Sequence, residues 1–323
     1  MQKKARSFDS SQGSDDDDES LSGEASRNRE ARLPAPMQTE SSTRREIGVF
    51  DSGVGGFTVL RELRKLLPHA RLRYLADTAY APYGSRSPEE IRARSLAITE
   101  HLIAQGAQLV VVACNTATAH AIETLRTRWP ALPFVGTEPG IKPAVAMTRN
   151  GRIGLLATPA TAASARLQAL IERHAKGCEV VVRGCPGVVE HIEAGDLDSA
   201  ALRQLVDEHC TPLRAAGIDT ALLGCTHYPL IEPLWRAALG PDIALLRIET
   251  AVARRAADLW PAASDEAALD IETSGDPAAL RGWLGRVLGW PDAPVYAWRP
   301  QSKTASSCWP SEREDRTGAR DGT

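Results

Sequence analysis

The chain has six cysteines, at positions 114, 178, 185, 210, 225 and 308, but no Cys-x-x-Cys pair among them. That argues against a zinc ribbon or a thioredoxin-like motif, and no metal site is expected. No apolar run approaches the ~18 residues needed to cross a bilayer. The basic first residues are not followed by an apolar h-region, so no secretory signal is expected either. The cysteines are therefore read as reduced thiols of a cytoplasmic protein. Positive charge is not in excess. The formal net charge is −3, which argues against nucleic acid as the main partner. Neither G-x-G-x-x-G nor a Walker A sequence occurs after the first strand, so two common phosphate-binding readings lose support.

What is present is ordinary for a soluble globular protein, at 43% hydrophobic and 24% charged residues. A length of 323 residues allows two domains of moderate size. Residues 1–45 are rich in Ser, Arg and acids, including the run Asp15-Asp16-Asp17-Asp18-Glu19, and read as a disordered extension. The acidic run could dock a basic partner, but it reads more simply as a solvated tail. Residues 299–323, with Cys308, read as a second disordered tail.

Between the tails, strand and helix patterns alternate. Strands are expected at Ile47–Phe50, Leu72–Ala76, Leu109–Ala113, Phe134–Gly136, Ile153–Ala157, Glu179–Val182, Ala221–Gly224, Ile243–Leu246 and Ala268–Ile271. Ser87-Pro88-Glu89-Glu90 is a capping box with proline at the first helical position, and Gly106 suits the end of that helix. Further helices are expected after Cys114 to about Arg128, from Thr158-Pro159, over Val188–Glu193, over Ser199–Ala216, from about Pro229, over Val252–Leu259 and over Pro277–Leu288. Alternating βα units imply parallel sheets covered by helices. Ile47-Gly48 and Ile153-Gly154 open two similar stretches, an offset of 106 residues (153 − 47). The fold expected is α/β, with two similar Rossmann-like domains, mainly parallel sheets, a pseudo-twofold relation and a site in the cleft between them. The expected boundaries are 46–137 plus 248–298 for the first domain and 138–247 for the second.

Two cysteines fall where strands should give way to helices: Cys114 before Asn115-Thr116, and Cys225 before Thr226-His227. Their offset of 111 residues (225 − 114) nearly matches that of the repeat. Strand carboxyl ends are where open α/β sheets bind ligands, and N–H groups at a helix start bind carboxylates. The same surroundings lower a thiol pKa toward thiolate. A lone buried cysteine is usually an inert hydrophobe; two in matching contexts suggest an acid and a base on opposite faces of one substrate. Asp51-Ser52-Gly53-Val54-Gly55-Gly56 resembles a phosphate-binding turn headed by an acid, and Asp51 reads equally as a helix cap or a site residue. Tyr80-Ala81-Pro82-Tyr83-Gly84 reads first as a rigid turn with a packed tyrosine. Cys178, Cys185 and Cys210 read as structural, and Glu193 as an ordinary surface acid.

Taken together, Gly48-Val-Phe-Asp51-Ser52-Gly-Val-Gly-Gly56, Asp77-x-x-x-x-Pro82-Tyr83-Gly84, Ala113-Cys114-Asn115-Thr116-Ala117 and Gly224-Cys225-Thr226-His227-Tyr228-Pro229-Leu230 resemble the glutamate racemases of the cofactor-independent aspartate/glutamate racemase superfamily. Glu138-Pro-Gly-Ile-Lys-Pro143 and Thr273-Ser-Gly-Asp276 add to the likeness, which runs from about Ile47 to Leu288. One departure is Arg247-Ile-Glu249-Thr250, where many members have Asp followed by small residues. The resemblance implies interconversion of L- and D-glutamate for peptidoglycan synthesis without a cofactor. Cys114 is implied to exchange the α-proton on the D-glutamate side with help from Asp51. Cys225 is implied to do so on the L-glutamate side with help from His227. Ser52, Tyr83, Gly84, Asn115, Thr116, Thr226 and His227 are implied to hold the substrate, with Asp51 beside them and Glu193 near its ammonium. The implied partner is a small molecule, glutamate, rather than nucleic acid or membrane, and the resemblance leaves room for a homodimer. Three other readings stay open: an aspartate racemase, a thiol hydrolase built on Cys225 and His227, and a non-catalytic amino-acid-binding module.

Overall fold

A computed structural model describes residues 45–261 and 267–300. Cys308, the acidic run at 15–19 and nearly all of both expected disordered ends lie outside the described residues. The described chain contains strands β1 (Glu46–Asp51), β2 (Arg71–Ala76), β3 (Ala107–Val112), β4 (Phe134–Gly136), β5 (Arg152–Ala157), β6 (Glu179–Gly184), β7 (Thr220–Gly224), β8 (Ala244–Leu246), β9 (Ala268–Thr273) and β10 (Val295–Ala297), with helices between most of them. They form two sheets, ordered β10-β9-β2-β1-β3-β4 and β6-β5-β7-β8. Every pairing is parallel. The order β2-β1-β3-β4 recurs as β6-β5-β7-β8, so the sequence repeat is also a repeat of topology. In each sheet the direction of winding reverses beside the first strand of the unit, between β1 and β3 and between β5 and β7. Cys114 and Cys225 follow β3 and β7, at these two switch points.

Period-two burial assigns each strand residue to a face. Ile47, Val49 and Val111 pack into one cluster, whereas Phe50, Val110 and Val112 pack into another on the opposite face of the first sheet. In the second sheet, Leu156, Ala221 and Leu223 join that first cluster, while Leu155 and Leu222 belong to a third with Ile141 and Leu167. One apolar core thus runs through residues of both sheets.

Helix starts follow the local chemistry. Ser87 accepts from Glu90 N–H and Glu90 reaches back to Ser87 N–H, completing the expected box. Gly106 has φ +111°, which suits glycine after a helix. Three boundaries differ from expectation. Ser164 caps a fresh helix, so the segment after Thr158 splits into Pro159–Ala162 and Ala165–His174. The chain after Cys225 makes a 3₁₀ turn, Tyr228–Ile231, before the helix Glu232–Leu239, with prolines at the start of both. The last helix keeps α geometry over Pro277–Trp283 and widens to a π turn at Leu284–Leu288. Helix Ile141–Met147 and strand β10 had no clear pattern in the sequence: the helix carries Pro143, and the strand is three residues long.

Asp219 ties the entry of β5 to that of β7. Its carboxylate accepts from Thr148 Oγ1 (2.6 Å), Arg149 N–H (2.7 Å) and Asn150 N–H (2.8 Å). Burial would raise its pKa, but these donors outweigh that and hold it at about 2. A carboxyl depressed in the folded state stabilises above its unfolded pKa near ~3.9, and the benefit disappears as pH falls through the folded value. Asp219→Asn is therefore expected to lower the denaturant midpoint at pH 5–7. The gap to the unaltered chain should shrink between about pH 4 and pH 2. Urea titrations at pH 7, 5 and 3 check this.

Candidate active site

Nine of the eleven expected residues line one small, tight cavity: Ser52, Tyr83, Gly84, Cys114, Asn115, Thr116, Cys225, Thr226 and His227. Pro82, Thr158 and Val189 complete its wall. Asp51 and Glu193 stand behind this lining. Thr158 was missed as a site residue, although the repeat pointed to it: it follows β5 as Ser52 follows β1. Pro82 sat inside a recognised motif; Val189 had no signal.

Each thiol heads a chain of polar groups ending in a carboxylate. Cys114 Sγ donates toward Ser52 Oγ at 3.8 Å, and Ser52 Oγ donates to Asp51 Oδ1 at 3.4 Å. Asp51 therefore reaches Cys114 through Ser52. On the other side, Cys225 Sγ lies 3.7 Å from His227 Nδ1, and His227 Nε2 lies 2.6 Å from Glu193 Oε1. The two-residue spacing of Cys225 and His227 does bring base and thiol together. The pair alone would suit a thiol hydrolase, but a hydrolase reading leaves Cys114 in the same cavity without a role.

The two chains are cross-linked. Thr226 Oγ1 donates to Asp51 Oδ2 at 3.0 Å, and Val54 N–H donates to Glu193 Oε1 at 2.8 Å. Glu193 is thus tied to His227 and Val54 and is neither a free surface acid nor part of the cavity lining. It also borders a larger open cleft with Val54, Pro82 and Trp283.

The electrostatics correct one expectation. Cys114 caps the helix Asn115–Arg128, accepting Ala117 N–H at 3.4 Å, so the expected helix-start geometry is present. Its pKa is nevertheless raised: burial is the main cause, the Asp51 charge adds to it, and the Ala117 N–H opposes without cancelling. A buried thiol beside an acid keeps its proton despite the helix end. Cys225 differs from expectation in its backbone, since a 3₁₀ turn rather than an α-helix follows. Burial also raises Asp51, against the His227 charge and the Gly53 N–H. His227 is raised well above its ordinary value; burial pulls the other way, but Cys225 and Glu193 prevail and favour the imidazolium.

Most hydroxyls in the site are engaged within the chain. Thr116 Oγ1 contacts Thr158 and Thr161 Oγ1 at 2.9 and 3.2 Å. Asn115 Nδ2 donates to Thr137 O at 3.1 Å, while its Oδ1 is buried without a hydrogen-bond partner. The Tyr83 hydroxyl is likewise engaged within the chain. It donates to Asp77 Oδ2 at 2.5 Å, and Arg94 clasps the same carboxylate at 2.8 and 2.7 Å. What Tyr83 and Gly84 offer the cavity is its wall. Tyr83→Phe should therefore cost about 1–2 kcal/mol of stability through the Asp77 bond. It should leave ligand affinity within about twofold. A melt and a ligand titration on the same variant check both; a large loss of affinity would return the hydroxyl to the ligand.

With this geometry established, comparison with known proteins is informative. The Asp/Glu/Hydantoin racemase family matches residues 58–256. A glutamate racemase from Roseiflexus sp. (strain RS-1) is 50% identical over 250 residues, covering 75% of this chain and 92% of that protein. The Escherichia coli glutamate racemase, solved with L-glutamate and the activator UDP-MurNAc-Ala, superposes with a TM-score of 0.70 at 32% identity. It covers 78% of this chain and 97% of its own. The Francisella tularensis glutamate racemase, solved with D-glutamate, gives a TM-score of 0.72 at 25% identity, covering 80% of this chain and 99% of its own. Family match, identity over most of the chain and shared fold agree, and the chain belongs to the glutamate racemases of the Asp/Glu/Hydantoin racemase family.

Proposed function

We propose that the chain interconverts L- and D-glutamate by a two-base transfer of the α-proton between Cys114 and Cys225, and that the D-glutamate supplies peptidoglycan synthesis. The observation that carries this reading is that both thiols line one small cavity, each backed by its own chain to a carboxylate. Relatives solved with L-glutamate and with D-glutamate support both enantiomers as substrates.

Racemisation needs the proton removed from one face of the α-carbon and another delivered to the opposite face. The charge distribution favours one resting arrangement. Cys114 is a thiol, ready to give a proton, and the His227 imidazolium lies 3.7 Å from the Cys225 sulfur that is to act as the base. Cys225 then takes the α-proton while Cys114 delivers one. For the reverse direction Cys114 must lose its proton. Ser52 and Asp51 form its route, and the raised Asp51 carboxyl is a better proton acceptor than an ordinary aspartate. The carbanionic transition state spreads charge onto the α-carboxylate, which N–H groups at the start of the Asn115 helix can stabilise. The open Asn115 Oδ1 suits the substrate ammonium as an acceptor. Closure of the two expected domains, 46–137 plus 248–298 against 138–247, would exclude water and fix both thiols on the α-carbon.

The test is α-proton exchange in D₂O, followed by NMR together with circular dichroism, on D-glutamate and separately on D-aspartate. Expected is deuterium entry and loss of optical signal for glutamate, with little change for aspartate; exchange of aspartate alone would move the chain to the aspartate activity. Cys114→Ala and Cys225→Ala should each abolish net racemisation. Full activity in either one would overturn the two-base assignment, and a covalent burst with an acyl substrate would support a hydrolase instead.

A further inference from the structure

The glycine-rich turn after β1 reads in sequence as an anion cradle, yet what its N–H groups hold in the structure is the acid–base pair behind Cys225. Val54 N–H donates to Glu193 Oε1 at 2.8 Å, and Gly55 N–H points at His227 Nε2 at 3.2 Å. The turn is itself anchored. Tyr74 Oη donates to Gly53 O at 2.8 Å, and Thr58 Oγ1 bridges Gly55 O (2.8 Å) and Thr226 O (3.1 Å). A Cβ at Gly53 would overlap the Glu193 carboxylate, and one at Gly55 would overlap the His227 ring at Nδ1, the atom that faces Cys225. Glycine is needed at both positions for close approach rather than for an unusual backbone angle.

We propose that Gly53, Val54 and Gly55 are positioning residues for Cys225, seating Glu193 and His227 from the opposite half of the molecule so that this thiol is fully assisted only when the two halves meet. The inference rests on the two-base racemase reading. A chemical reason lies in the ring nitrogen. Nε2 keeps its hydrogen and donates it to Glu193 Oε1, the oxygen that Val54 N–H also holds, while Nδ1 faces Cys225 and exchanges the proton. The turn therefore fixes the ring through the carboxylate, and Gly55 packs against the ring without a side chain in between. The charged and titratable groups around that ring are Cys225 after β7, Glu193 on the helix Val188–Glu193 and Asp51 at the end of β1.

The experiment uses the full chain with Gly55→Ala, and with Gly53→Ala as an independent second variant, after a thermal melt shows which of them fold. Racemisation of α-deuterated L- and D-glutamate is compared with the protiated forms. Expected is a fall in kcat of roughly ten- to a hundredfold, as for small misplacements of catalytic groups, with KM nearly unchanged. The isotope effect should grow for the enantiomer whose α-proton faces Cys225 and shrink for the other. A folded variant with unaltered kcat, or with isotope effects moving equally for both enantiomers, would overturn the proposal. If neither variant folds, hydrogen exchange of the Val54 and Gly55 amides in the unaltered chain decides. Protection like that of β1 supports the contacts, and fast exchange rejects them. An unaltered chain that moves no α-deuterium would instead refute the racemase reading itself.

Discussion

Two carboxylates, Asp51 fully buried and Glu193 partly so, are each held by the half of the molecule they do not belong to, and they organise everything around the cavity. Asp51 ends β1 of the first sheet and takes a hydroxyl from Thr226, which follows β7 of the second. Glu193 lies between β6 and β7 and takes an amide from Val54, in the turn after β1. A carboxylate removed from water without such donors would be costly. The site and the contact between the halves are thus one construction, and neither thiol can be described without the other half.

Much of this was legible in the sequence, for identifiable reasons. Strands such as Ile47–Phe50 and Ala221–Gly224 announce themselves because a parallel strand buried on both faces is a short, nearly continuous apolar run. Helix starts at Ser87, Thr158 and Ser199 were visible because the capping side chain is local to its own backbone. The two cysteines stood out because the repeat placed them at equivalent strand ends. The site list drawn from the resemblance proved largely a list of cavity neighbours.

What the sequence concealed depends on partners far along the chain. Tyr83 is packed, as the turn motif suggests, but its hydroxyl partner Asp77 and the Arg94 that clasps the same carboxylate come together only in the fold. Glu193 looked like a surface acid because its partners, Val54 and His227, lie 139 and 34 residues away. The thiolate expected at Cys114 failed for a related reason. A helix start can be read locally, whereas burial and the Asp51 charge are properties of the assembled fold, and here they outweigh it. Thr158 was hidden differently, since its role emerges only when β5 is laid over β1.

The repeated topology was built from one plan but is chemically lopsided, with Ser52 and Asp51 behind one thiol and His227 and Glu193 behind the other. That asymmetry has a thermodynamic limit. Enantiomers have equal free energies in water, so the equilibrium constant between them is one. The ratio kcat/KM must therefore be the same from either side, however unlike the two thiols' surroundings. The lopsided halves can divide that common ratio differently between turnover and affinity. They cannot make the protein a better maker of one hand than of the other; a lasting bias must come from whatever consumes the product.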